Sequence, residues 1–214
     1  MSSFQDNDQI LFCGAFSGEI DKILQQKEFI VLETGVGLLP SALRLQSYLL
    51  EQSPEKLPKS VLFIGSAGVY PWLPRKDWEG KFGLSHSFVN YEIAYLDKKV
   101  RIPDFLTLKT EFPPPALPSF SIELYKTGTN GTGSVTLEDL SPRAADRLKG
   151  EGIGFESMEA YGIAKVCESF KIPMASLFSL TNRVGPKGSE EWKNSWRKLS
   201  DKLQEAIISA YVKS

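Results

Sequence analysis

No apolar run approaches the roughly 18 residues that a membrane-spanning helix needs, so helical passage through a bilayer is not expected. Met1 to Gln9 show no basic n-region and no apolar h-region, which makes the cytoplasm the expected location. Cysteine is scarce. Cys13 and Cys167 stand alone without a CxxC, and two buried free thiols are expected in place of a disulfide or metal site. His86 is the only histidine; it sits in a polar stretch and reads as structural or solvated. A surplus of either charge is also missing: 25 basic residues face 26 acidic ones, and the basic ones are scattered. That removes the usual electrostatic footprint of nucleic-acid binding and favours a small, neutral or locally anionic ligand. Repeats, low-complexity tracts and linkers are absent, so the 214 residues, 42% of them hydrophobic, are expected to form one domain around one core.

What is present alternates between strand and helix patterns. Ile10 to Gly14 and Glu28 to Glu33 are short, apolar and bounded by turn residues, as buried strands are, with one short helix at most between them. Leu39, Leu43, Leu45, Tyr48, Leu49 and Leu50 form a helical stripe from Leu38 to Leu50, with Pro40 tolerated in the first turn. Val61 to Ile64 reads as a strand ending in a small-residue turn, Gly65-Ser66-Ala67-Gly68, where a backbone can approach a ligand closely. Phe88 to Leu96 and Ile122 to Thr127 are further strand candidates, Phe112 to Pro118 is loop, and Gly128 to Ser134 is rich in turn residues. Ser141-Pro142 caps a helix running to Lys149. Phe155, Met158, Tyr161, Cys167 and Phe170 supply the apolar face of a helix from about Ser157 to Phe170, Met174 to Leu180 is a buried strand, and an amphipathic helix spans about Ser189 to Val212. The expected fold class is α/β, with a largely parallel or mixed central sheet flanked by helices on both faces.

Ligands of such sheets bind at the carboxyl ends of the strands. Those ends hold Gly14-Ala15-Phe16-Ser17-Gly18-Glu19, Thr34-Gly35-Val36-Gly37, Gly65-Ser66-Ala67-Gly68, Glu156-Ser157-Met158-Glu159 and Thr181-Asn182-Arg183. Each has a plainer reading. A GxG can be a helix-entry turn, Glu19 a solvated helix residue, and Glu159 a carboxylate favoured at the positive end of a helix dipole. The four tryptophans read as packing residues, since nothing in the sequence places them together.

In combination, the glycine-adjacent Glu19, TGVG, GSAG, SMEA and the Thr-Asn pair resemble, in order and interval, the purine nucleoside phosphorylase and nucleosidase superfamily, from about Ile10 to Gly185. The resemblance implies the three-layer phosphorylase/hydrolase-like fold. It implies further that Glu19 activates water for attack at C1′ of a nucleoside, that Met158 packs on the ribose, and that Glu159 accepts hydrogen bonds from the 2′ and 3′ hydroxyls. Ser66 and Gly68 then line the base and the nucleophile. A transition state of oxocarbenium character suits two such carboxylates, one taking a proton and one stabilising positive charge.

Phosphorylases of this superfamily hold phosphate with arginines after the first strand and before the GS turn. Here the first arginine is Arg44, and Phe63 and Ile64 precede Gly65, so water is the expected nucleophile. Nucleosidases acting on adenine compounds carry an aspartic acid at the end of the last strand, where this chain has Asn182, and an arginine on that strand, where it has Phe178. A carboxamide can donate to N7 but cannot protonate it, which suits hypoxanthine better than adenine. SLTNRVGPKGSEEW, Ser179 to Trp192, looks most like futalosine hydrolase, which releases hypoxanthine in menaquinone biosynthesis. A futalosine tail needs an aromatic pocket and a cation, for which Phe16, Phe178 and Phe63, and Arg183 or Lys187, are the candidates. Two features depart from the resemblance: the segment between Glu19 and Glu28 is short, and Gly128 to Ser134 matches the base-binding loop only loosely.

The expectation is thus a futalosine-hydrolase-like nucleosidase, working without metal or organic cofactor on a small purine nucleoside, and a homodimer by resemblance. The alternatives are a methylthioadenosine/S-adenosylhomocysteine nucleosidase and a nucleoside-binding homologue without catalysis.

Overall fold

A computed structural model describes residues 10–212; the N-terminal stretch read above, Met1 to Gln9, lies outside them. The architecture is a mixed sheet with helices on both faces, as expected from the alternating pattern. The first strand, β1 (Ile10–Gly14), is wholly buried and leads through helix α1 (Ser17–Leu24) to β2 (Ile30–Glu33), which pairs with it in parallel. Helix α2 (Leu38–Leu50) follows. The next strand, β3 (Ser60–Val69), is the axis of the sheet, and its length corrects the sequence reading: Gly65-Ser66-Ala67-Gly68 is extended strand and not a turn.

Between β3 and the last strands the chain forms a short helix α3 (Arg75–Trp78), then β4 (Phe82–Ser85), β5 (Ser87–Val89), a short helix α4 (Ile93–Leu96), β6 (Lys109–Glu111), β7 (Leu124–Lys126) and β8 (Gly128–Gly131). Two expectations fail in this stretch. Phe88 to Leu96 holds strand only to Val89 before turning into α4, and the glycine-rich segment beginning at Gly128 is a buried strand. Gly131 explains its composition, because a Cβ there would lie 2.2 Å from the Tyr161 Cβ. Ser141 Oγ accepts from Ala144 N–H (3.1 Å) and starts α5 (Pro142–Gly150), the expected cap.

Phe155 belongs not to a helix but to β9 (Ile153–Ser157), which runs antiparallel to β3 and parallel to β8. Helix α6 (Ala160–Phe170) then packs against α2 so closely that a Cβ on Gly162 would meet the Leu38 carbonyl oxygen at 2.4 Å. Lys171, at φ 58°, ends that helix, and the Ile172 N–H returns to Cys167 O (2.9 Å). The central strand β10 (Met174–Arg183) pairs with β3 on one side and β4 on the other, and α7 (Gly188–Val212) closes the chain. The sheet order is β6-β5-β8-β9-β3-β10-β4-β7, with β1 paired to the first half of β3 and β2 to the outer side of β1. Cys13 and Cys167 are buried free thiols, as expected. No helix among the described residues is long and apolar enough to cross a membrane.

One feature of this topology positions the site. Along one edge of β3, pairing with β1 ends at Ile64, and pairing with β9 begins at Gly68. Gly65, Ser66 and Ala67 lie where one neighbour has left and the other has not arrived, so a crevice opens at the carboxyl end of β1, the kind of switch point at which α/β sheets bind ligands.

Candidate active site

A cavity of about 370 Å³ occupies this crevice, a size typical of small-ligand pockets. Glu19 enters it from the first turn of α1. That turn is pinned by α7: the Arg197 guanidinium donates to both carboxylate oxygens of Asp21 (3.2 and 2.7 Å) and to Gly18 O (2.8 Å). Glu19 is only 4% exposed, and Ser66 Oγ donates to its Oε1 at 2.7 Å. Burial pushes its carboxyl up to about 7, the Ser66 hydroxyl works against that rise, and the charge of Glu159 adds to it. A carboxyl poised near neutrality is suited to taking a proton from water.

Glu159 precedes the first turn of α6 and is also buried. Gly37 N–H donates to its Oε1 (2.9 Å), and Ser157 Oγ donates to its Oε2 (3.3 Å). Gly37 is at φ 98°, a conformation costly for other residues, which gives the TGVG segment a physical purpose: it turns a backbone N–H onto this carboxylate. Burial raises the Glu159 carboxyl and these two donors oppose the rise.

Asn182 stands on β10 just after a register shift between Leu180 and Asn182. Thr181 Oγ donates to its Oδ1 (2.8 Å), and its Nδ2 donates to Arg183 O (3.1 Å), which leaves one N–H of the carboxamide uncommitted beside the cavity. The Gly68 backbone lies under it. A Cβ there would come within 3.1 Å of Asn182 Nδ2 and 2.9 Å of Val184 Cγ2, so glycine is required at that position.

No family model and no curated protein matches this chain in sequence. Solved structures do match. A 5′-methylthioadenosine/S-adenosylhomocysteine nucleosidase of Helicobacter pylori, a mutant with 5′-methylthioadenosine in its active site, superposes with a TM-score of 0.73 at 17% identity, covering 97% of this chain and 99% of that one. Futalosine hydrolase of the same organism gives a TM-score of 0.71 at 16% identity, with 97% and 98% covered. The methylthioadenosine/S-adenosylhomocysteine nucleosidase of Neisseria meningitidis, in complex with methylthio-immucillin-A, gives 0.73 at 13%, with 96% and 99% covered. This chain has the nucleosidase fold.

Within that fold, Glu19, Asn182, Ser66, Gly68, Met158, Glu159 and Phe16 all line the one cavity. Four other candidates, Phe178, Phe63, Arg183 and Lys187, do not. Phe178 is fully buried in the core, edge-on to Phe63 and Phe155, and Phe63 is buried with it. Phe178 pairs with Gly65, three β3 positions before the Gly68 that pairs with Asn182 and so about 10 Å back along the strand, and its ring turns into the core. Arg183 follows Asn182 and so points to the other side of the strand, where its guanidinium donates to Leu73 O (3.0 Å). Lys187 is exposed and does not line the cavity. Among the described residues, Lys193 is the one cation lining it. No cluster of three or more His, Cys, Asp or Glu suited to a metal occurs among the described residues.

Thr136, Trp192 and Lys193, which are not among the expected site residues, also line the cavity, as does Glu156, a strand-end residue with no role expected from sequence. Trp192 stacks on Trp196 (10° between planes, centroids 5.4 Å apart), and Trp196 packs edge-on against Phe16. Their spacing of four residues on one helix face was the available signal. Glu156 stands at a strand end, but every residue of β9 is buried and the strand shows no alternation to tell which face it takes.

Proposed function

We propose that this chain is a nucleoside N-ribosyl hydrolase that releases a purine base, and that its substrate is a 6-oxopurine nucleoside of the futalosine type. The observation that carries the reading is the convergence of Glu19 with its Ser66 partner, Glu159 with its Gly37 partner, and Asn182 on one cavity. In this scheme Glu159 accepts from the ribose hydroxyls and Met158 lies against the sugar. Water held by Glu19 and Ser66 attacks C1′. The new C1′–O bond forms as the C1′–N9 bond breaks, its electron pair leaves with the base, and Glu19 takes the proton from water. The free base regains a proton from solvent. The buried carboxylates oppose the developing positive charge in a low-dielectric pocket, where such effects are largest. Asn182 steadies N7 by donation.

The aromatic wall of Phe16 and Trp192, with Lys193 at its exposed edge, would receive an aryl tail carrying an acid, in place of the Phe178 and Arg183 expected from sequence. A second reading, a methylthioadenosine/S-adenosylhomocysteine nucleosidase, is favoured by the fold of the neighbours so named, and Asn182 in place of an acid argues against it. The homodimer implied by resemblance would cover the apolar stripe Leu39, Leu43 and Leu50 on α2, which is exposed in the single chain. Incubation with futalosine, methylthioadenosine and inosine, each with and without phosphate, followed by chromatography of the free base, tests the reading. Base release independent of phosphate is expected, and ribose 1-phosphate among the products would overturn hydrolysis.

A further inference from the structure

Three carboxylates line the cavity, and Glu156 is the one to which the hydrolytic scheme gives no task. We propose that Glu156 reads the N1–H edge of a 6-oxopurine base, an inference that rests on the nucleosidase reading above and assigns base choice to a second residue besides Asn182.

The sheet register places it. Glu19 with Ser66 and Glu159 with Gly37 mark the water and sugar end of the cavity. Gly68 lies two residues beyond Ser66 on β3, about 7 Å further along the strand. It is paired with Glu156 on one side and with Asn182 on the other. The backbones of those two residues are therefore roughly 10 Å apart, with only the side-chain-free Gly68 between them. Both side chains lie on the same face. Asn182 Nδ2 sits over the place where a Gly68 Cβ would be, and Tyr70, which shares the Gly68 face by strand alternation, donates to Glu156 Oε2 at 3.1 Å. A planar base resting on this floor has Asn182 at one edge and Glu156 at the other.

The surrounding hydrogen bonds make Glu156 an acceptor with one site open. Thr136 N–H donates to Oε1 (3.0 Å), and Thr136 Oγ (2.6 Å) and Tyr70 Oη donate to Oε2. The direction of the tyrosine bond is set by Asn130, whose Nδ2 donates to the Tyr70 oxygen at 3.2 Å and so leaves the phenolic proton for Glu156. A carboxylate offers about four acceptor positions. Three are filled, and the fourth is on Oε1. Burial raises its carboxyl, and the donors from Thr136 and Tyr70 oppose that rise. A 6-oxopurine brings an N1–H to such a site. Adenine brings a lone pair at N1, which both repels the carboxylate and leaves its last position empty.

Titration calorimetry of the whole protein with free hypoxanthine, 1-methylhypoxanthine and adenine tests this without relying on turnover. The wild type should bind hypoxanthine about 10- to 100-fold more tightly than either of the others, the range expected for a hydrogen bond to a charged group. Glu156→Gln, whose amide can present an N–H to adenine N1, should shrink the hypoxanthine-to-adenine ratio to about threefold or less. Equal affinity of the wild type for hypoxanthine and 1-methylhypoxanthine overturns the proposal even if the variant does not fold, as does an undiminished ratio in a folded variant. In either case base release by the wild type would leave the nucleosidase reading standing. If none of the three bases binds, the Glu156 assignment falls, and the nucleosidase reading is decided separately by base release from the nucleosides.

Discussion

Replacing Glu19 by glutamine should make the protein more stable and less active at once. The buried carboxyl of Glu19 is raised from 4.5 to about 7, so the native state holds this proton more tightly than the unfolded chain does. Between pH 4.5 and about 7 the native state binds more protons, and stability falls as pH rises; above about 7 the whole penalty is present. Its size is roughly 3 kcal/mol, at about 1.4 kcal/mol per tenfold change in proton affinity. Glutamine has no charge to desolvate, and its carbonyl oxygen can still accept from Ser66 Oγ. Glu19→Gln should therefore melt higher than the wild type at pH 8, by about 5 to 10 °C for a chain of this size, and at nearly the same temperature at pH 4. Loss of a positioned general base should meanwhile cost about 100- to 10,000-fold in turnover. Thermal unfolding at the two pH values, with steady-state kinetics on the best substrate, measures both. Equal melting temperatures at pH 8 would show that the carboxyl is not strained by burial, and near-full turnover would show that it is not the base.

Further outcomes follow from the same geometry. The kcat/KM of the wild type should climb with pH through about 7 as Glu19 loses its proton and then level off; a profile flat from pH 5 to 9 would contradict its role. Asn182→Asp should move the ratio of kcat/KM for adenine and hypoxanthine nucleosides toward adenine, because an acid can protonate N7 where a carboxamide only donates, and an unchanged ratio would defeat the base assignment. Trp192→Ala should raise KM for a nucleoside with an aryl 5′ substituent more than for inosine, whereas Phe178→Ala should cost about 3 to 5 kcal/mol of stability through the cavity it leaves in the core. A larger KM effect from Phe178 than from Trp192 in a folded variant would reverse their placement.

Much of this site could be read from sequence because its residues sit beside strand ends, where glycines and carboxylates stand out against apolar runs. Glu19, Ser66, Gly68, Met158, Glu159 and Asn182 stand at those ends and are singled out by the resemblance their segments carry, and the structure gathers them around one cavity. What could not be read depended on pairing between distant segments. GSAG has the composition of a turn, but β10 and then β9 carry β3 straight through it. Phe155 fits a helical stripe only until β9 is seen to be buried on both faces, which erases the alternation that marks a strand. Phe178 and Arg183 come from the resemblance and from what a futalosine tail needs, neither of which tells where a side chain points. In the sheet Phe178 pairs with Gly65 and turns its ring into the core beside Phe63 and Phe155, and Arg183 lies on the side of the strand away from Asn182. Glu156 acquires a role only when Gly68 is seen to lie between it and Asn182.

The most direct test of the account is the release of hypoxanthine from futalosine in phosphate-free buffer, measured beside the release of adenine from methylthioadenosine at the same concentration. Free hypoxanthine is expected at a rate clearly above that of adenine. Adenine released faster than hypoxanthine would contradict the base assignment, and no base released from either would contradict the hydrolase itself.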